Sequence, residues 1–110
     1  MTSLPKDSDN NTIPALRLRA GGSHAIAVTA TSARNAAPFT SFCRVVSLYA
    51  TGPIFLRFGN SSVTATTSDH YFPGGVYYDM AIQGSKTSQN TYVAAVRAEG
   101  DCTLYVSEKE

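Results

Sequence analysis

Charge is scarce in this chain. Only 15% of its 110 residues are Asp, Glu, Lys or Arg, against about a quarter in an ordinary soluble domain. The 9 basic and 8 acidic residues nearly cancel, to a formal +1. No run of Lys or Arg is present to neutralise a phosphate backbone, so nucleic acid is not an expected partner. Long apolar runs are missing as well. No stretch approaches the roughly 18 residues of a membrane span, and the opening MTSLPKDSDNNT lacks the apolar centre of a signal peptide. No membrane association is expected, and synthesis is expected in a cytoplasm. Tryptophan is absent and cysteine occurs only as Cys43 and Cys102. These two admit one bridge, but both fit inward-facing positions of expected strands. A reducing cytoplasm then favours buried free thiols over a disulfide. The sequons at Asn10 and Asn60 matter only in a eukaryotic secretory route. Helical periodicity is the last absence: no long segment joins a 3.6-residue apolar repeat to caps, so little helix is expected.

What the chain does have is alternation of period two. It is clearest in Cys102-Thr103-Leu104-Tyr105-Val106 and in Val76-Tyr77-Tyr78-Asp79-Met80-Ala81-Ile82, the signature of half-buried strands. Seven or eight short strands at spacings near ten residues predict an all-β, single-domain, two-sheet antiparallel β-sandwich, jelly-roll-like. At this length roughly 65% of the unfolded surface can be buried, enough for one core. Residues 1–12 are polar and read as a flexible N-terminal arm, with the sandwich domain over 13–110.

Along the chain, Leu16 and Leu18 alternate with Arg17 and Arg19, predicting a first strand that ends in a turn at Gly21-Gly22. Residues 25–31 form a second, burying Ile26, Val28 and Ala30, and a small-residue loop follows over 31–38. Residues 42–49 carry apolar groups on both faces, as in a central strand or one covered by a partner. Thr51-Gly52-Pro53 should make a hairpin to the strand bearing Ile54, Leu56 and Phe58. The polar stretch 59–69 is a long loop with a candidate edge strand at 63–65, and such loops carry binding in β scaffolds. The strand at 76–82 is expected to bury Val76, Tyr78, Met80 and Ile82, with Tyr77 and Asp79 outward. After a hydrophilic connection over 84–90, residues 92–96 and 102–107 should pair as a hairpin around Glu99-Gly100-Asp101.

Chemistry is sparse. Ser68-Asp69-His70 holds the residue types of a hydrolytic triad, but neighbours in sequence are not held as one, and no strained elbow exposes the serine. A loop turn is the better reading. His24 and His70 have no local partners at metal-ligand spacing. Asp69, Asp79, Glu99 and Asp101 offer a glycosidase pair only if the fold unites them. Arg57, Lys86 and Arg97 are too few and scattered for an RNA-reading surface. No catalytic residue, cofactor site or metal site is therefore assigned, and no enzyme is expected. Tyr71, Tyr77 and Tyr92, beside Phe72, are either core and interface filling or a platform for stacking sugar rings.

The segments AIAVTATSARNAAPF, PIFLRFGNSSVTATTSDHYFPGGVYYDM and YVAAVRAEGDCTLYVSE resemble small structural proteins encoded in the head and tail gene clusters of tailed bacteriophages and gene transfer agents. The resemblance covers about residues 25–108. Its pattern is a Thr/Ala-rich strand, an FLRFG strand, the SSVTATTSDHYFPGG loop, a strand before Gln83 and a closing AVRAEGDCTLYVSE hairpin. It implies a virion component that decorates a capsid or supports a spike or fibre. Such units work in several symmetric copies, so a homo-oligomer contacting other virion proteins is implied. It also implies a contact role for the loop residues Asn60, Ser61, Asp69, His70 and Tyr71, and a strap role for the N-terminal arm. Polysaccharide at a host surface, bound through Tyr71, Tyr77 and Tyr92, is the alternative partner.

Overall fold

The computed structural model describes Asp9 and residues 16–83 and 88–110. The expected arm over 1–12, apart from Asp9, lies outside the described residues, as does part of the 84–90 connection. Eight strands follow one another: β1 (Leu18–Val28), β2 (Ala33–Arg34), β3 (Val45–Ala50), β4 (Ile54–Gly59), β5 (His70–Phe72), β6 (Tyr77–Ala81), β7 (Tyr92–Arg97) and β8 (Cys102–Lys109). There is no helix among the described residues.

They form two antiparallel sheets of four strands, ordered β1-β8-β3-β6 and β2-β7-β4-β5. Within them β1 pairs with β8, β2 with β7, β3 with β6 and β4 with β5. The chain is thus one long antiparallel ribbon whose tip is the β4–β5 connection. Wrapping that ribbon brings β8 against β3 and β7 against β4. This is the eight-stranded jelly roll, and the sequence-based fold class holds.

The core lies between the sheets. Ile26, Val28, Val46, Leu48, Leu104 and Val106 point inward from one, and Ile54, Leu56, Phe72, Val93 and Ala95 from the other. Each set occupies alternate positions, as the pleat requires. β3 runs between β8 and β6; of the apolar groups read onto its two faces, Val46 and Leu48 enter the core, Val45 is half-buried on the outer face, and Cys43 precedes the strand.

Two predicted hairpins are corner crossings instead. β3 and β4, and likewise β7 and β8, lie in opposite sheets. Their connections are stitched to one another: Thr51 N donates to Thr103 O at 3.0 Å and Ala98 N to Pro53 O at 3.0 Å. The turn residues suit either geometry. Stacking lets the inward sides of both strands share one core, and sequence-local chemistry does not register that choice.

The turn expected at Gly21-Gly22 is also absent. β1 runs straight through it with a bulge, advancing from Leu18 to Ser23 while its partner steps only from Lys109 to Ser107. Gly21 adopts φ +76, open to glycine at little cost. The bulge turns Leu18 outward, exposed, and half-buries Arg19. β1 ends at Val28, leaving Ala30 exposed rather than buried. Inside the 31–38 loop, two residues pair as β2 before Asn35 takes over. The buried Asn35 side chain accepts from Val93 N at 2.9 Å and donates to Ala37 O at 2.6 Å.

Both cysteines are free thiols. Cys43 precedes β3 and packs near Lys109 O at one end of β8, whereas Cys102 opens the other end. An eight-residue strand separates them by about 23 Å, far beyond the reach of a disulfide.

Candidate functional site

The loop over 60–69 is built from small side chains that close turns on the backbone. Asn60 Oδ1 accepts from Ser62 N at 3.0 Å and from Ser62 Oγ at 2.7 Å. Asp69 Oδ2 accepts from Thr66 N at 2.8 Å. No edge strand forms at 63–65. Instead Val63 and Ala65 pack onto Ala94 and Val96, with Phe55 and Tyr92 beside them. The loop therefore lies as a flap over the outer face of the β2-β7-β4-β5 sheet, and this is why β7 is buried on both sides. Arg34 Nη1 donates to Val63 O at 3.2 Å and Ser32 Oγ accepts from Ala65 N at 2.8 Å, fastening the flap to the β2 edge. A shallow depression of about 300 Å³ lies beside it, lined by Arg57, Phe58, Asn60 and Thr64.

The predicted contact residues occupy this flap and its exit. Asn60 and Ser61 are exposed, Asp69 is half-buried in its turn, and His70 and Tyr71 are exposed on β5. Tyr71 meets Phe55 edge-on, 5.6 Å between ring centres. Within Ser68-Asp69-His70 the carboxylate serves Thr66, as in a loop turn, and no triad geometry is built.

The three tyrosines singled out as a sugar platform are not brought together. Tyr71 stands on β5 in one sheet, and Tyr77 on β6 in the other. Tyr92 is half-buried beneath the flap. A different aromatic row exists. The register sets Tyr77 opposite Tyr49 and Tyr49 opposite Tyr105, across three adjacent strands on the outer face of the β1-β8-β3-β6 sheet. Their exposures are 57%, 36% and 49%. Tyr49 and Tyr77 lie 6.5 Å apart, tilted by 40°. Sequence reading did not single out Tyr49 or Tyr105; the row exists because β8 and β6 flank β3.

Beside it runs a polar row, Asp79 opposite Ser47 and Ser47 opposite Ser107. Asp79 accepts from Ser47 Oγ at 2.8 Å and from Lys109 Nζ at 3.0 Å. The Ser47 hydrogen bond first, and Lys109 next, hold its carboxyl below the usual range. Lys109 Nζ also stands 6.0 Å from the Tyr77 ring centre. β6 is an edge strand, and Val76 and Tyr78, expected inside, are exposed; Ile82 is buried and Met80 half-buried. Edge position explains this, since neighbours cover β6 on one flank only.

A second polar cluster lies inside one end of the sandwich. His24 Nε2 is 2.8 Å from Glu108 Oε2, and Thr40 N donates to Glu108 Oε1 at 2.9 Å. Phe39 packs edge-on against the imidazole at 5.1 Å. Gln89 Nε2 donates to Thr40 O and Cys43 O, each at 2.7 Å. Burial raises the Cys43 thiol pKa, and the Glu108 charge raises it further. The cluster is a structural clasp that sequence reading missed, because it treated His24 as isolated.

The remaining candidates stay apart. Among the described residues, no three of His, Cys, Asp and Glu are grouped to hold a metal ion. Asp69 lies in the flap loop before β5 and Asp79 on β6 of the other sheet, and Asp101 is paired with Arg97 at 2.6 Å. Comparison with known protein families, with curated proteins and with solved structures finds no match to this chain.

Proposed function

We propose that this chain is a non-enzymatic structural component of a phage or phage-like particle, decorating its capsid or supporting a spike or fibre through symmetric protein contacts. The observation that carries the reading is the surface of the jelly roll. Leu18, Phe42, Tyr71 and Tyr78 are large apolar groups left exposed on a chain with little charge. Such a surface can be covered by neighbours without desolvating unpaired ions. The pinned flap supports a contact role for Asn60, Ser61, Asp69, His70 and Tyr71, because a loop already ordered loses little entropy on docking. Partners are other virion proteins and further copies of the chain, made in a bacterial cytoplasm and resident in the virion. Repeated modest interfaces then give long residence through effective concentration.

Light scattering coupled to size exclusion, at two concentrations, tests the symmetric part of this reading. A closed oligomer of constant mass is expected; a monomer at both concentrations contradicts it.

A further inference from the structure

We infer that the outer face of the β1-β8-β3-β6 sheet is a saccharide-binding site for an uncharged hexopyranose chain. Tyr77, Tyr49 and Tyr105 stack on successive sugar rings, and the adjoining polar row bonds their hydroxyls. The inference stands apart from the particle reading, since a decorating protein need not bind sugar and a sugar binder need not join a particle.

Three features select this occupant. The tyrosines form one cross-strand row spaced by the sheet, about 4.8 Å per strand, so their rings are offered in series. An aromatic face is electron-rich and attracts the weakly positive C–H face of a pyranose.

Charge complementarity is the second feature. The charged groups of the polar row, Asp79 and Lys109, neutralise one another at 3.0 Å. An anionic glycan would meet that carboxylate and a cationic ligand would meet the ammonium, whereas a neutral polyol leaves the pair intact. The Asp79 side chain is 53% exposed despite its two donors, so its carboxylate can still accept from sugar hydroxyls. Ser107, half-buried in the same row, can donate.

Third, the row is held in place. Ser47 is buried beneath Asp79 and fixes it. Lys109 reaches both the carboxylate and the face of Tyr77. Asp79 and the Tyr77 ring are therefore set before a ligand arrives, which lowers the entropy cost of binding.

Native affinity electrophoresis tests the inference, using gels cast with dextran, hydroxyethylcellulose or galactomannan and a polysaccharide-free gel as reference. Retardation of the wild-type chain in at least one neutral polysaccharide is expected. Tyr49→Ala and Tyr105→Ala should each weaken it at least tenfold, and Asp79→Asn at least threefold, while Thr67→Ala, exposed in the flap over the opposite sheet, leaves it unchanged. Unaltered mobility of the wild type in all three gels would overturn the inference. So would a folded Tyr105→Ala chain that is retarded like wild type. Should Tyr49→Ala fail to fold, Tyr105→Ala and Asp79→Asn carry the test. Light scattering on the Tyr105→Ala chain separates the competing occupant: a mass below wild type would show the face to lie between copies of the chain, overturning the saccharide assignment while leaving a particle role standing.

Discussion

Glu108 is the residue on which one end of the sandwich depends. It is 2% exposed, and its carboxylate joins β8 to β1 through His24 and to the 39–43 segment through Thr40 N. Burial alone would raise its pKa, but the His24 and Thr40 hydrogen bonds outweigh burial and hold it below the usual carboxylate range. A group depressed in the folded state stabilises it above the pKa of the unfolded chain, about 4.3 for Glu. That stabilisation is lost as pH falls through the lower folded value. The wild-type melting temperature should therefore hold from neutrality to about pH 5 and fall below it, and the gap between wild type and Glu108→Gln should close on acidification. A gap unchanged down to pH 3 would contradict the clasp. Glu108→Ala leaves His24 and Thr40 N without their partner, at an expected cost of about 3 kcal/mol in denaturant unfolding. Gly22 belongs to the same place: a Cβ there would lie 2.9 Å from Glu108 Cβ and 3.2 Å from Arg19 O. Gly22→Ala should destabilise by about 1–3 kcal/mol by forcing the bulge away from β8. None of this was legible in the sequence, since His24 and Glu108 are 84 positions apart.

At the scale of elements, alternation was a good guide and adjacency was not. Ile54, Leu56, Leu104 and Val106 read correctly as inward because period two is a local property of the pleat. The flap was legible only as a polar excursion, for its two apolar residues, Val63 and Ala65, do not announce which surface they cover. Val63→Ala removes about 1.5 kcal/mol of apolar burial and should loosen the 60–69 segment before it unfolds the domain. Limited proteolysis should then cut first within 60–69, whereas the wild-type flap resists. The Asn60/His70 double alanine variant removes only exposed groups and the Asn60–Ser62 turn bonds, so it should lower the melting temperature by no more than about 8 °C, and should lose attachment to particles if the flap is a contact surface. β6 shows the converse limit: its strand was evident, but its exposed Val76 and Tyr78 follow from an edge position that only the sheet order reveals.

For the whole molecule, the sequence supports two sheets and eight strands through the spacing of its turns, yet the same turn chemistry serves a hairpin and a jelly-roll corner. The wrapping of the ribbon is decided by long-range pairing, β1 with β8 and β2 with β7, which no local window contains. Leu104, fully buried at the centre of β8, should cost about 2–5 kcal/mol on truncation to Ala, and Met80, half-buried on the edge strand, should cost less. The wrapped sandwich leaves a pinned polar flap and scattered apolar groups such as Leu18 and Phe42 exposed on a chain with little charge, and that is the basis of the particle proposal. The most direct test of the particle proposal is to purify phage or phage-like particles from lysates of cells that carry the encoding gene and to sediment the purified chain with them. Saturable co-sedimentation at a fixed number of copies per particle, lost in the Asn60/His70 variant, is the predicted result. A chain that stays in the supernatant at every concentration, and is absent from particles as purified, would contradict the assignment.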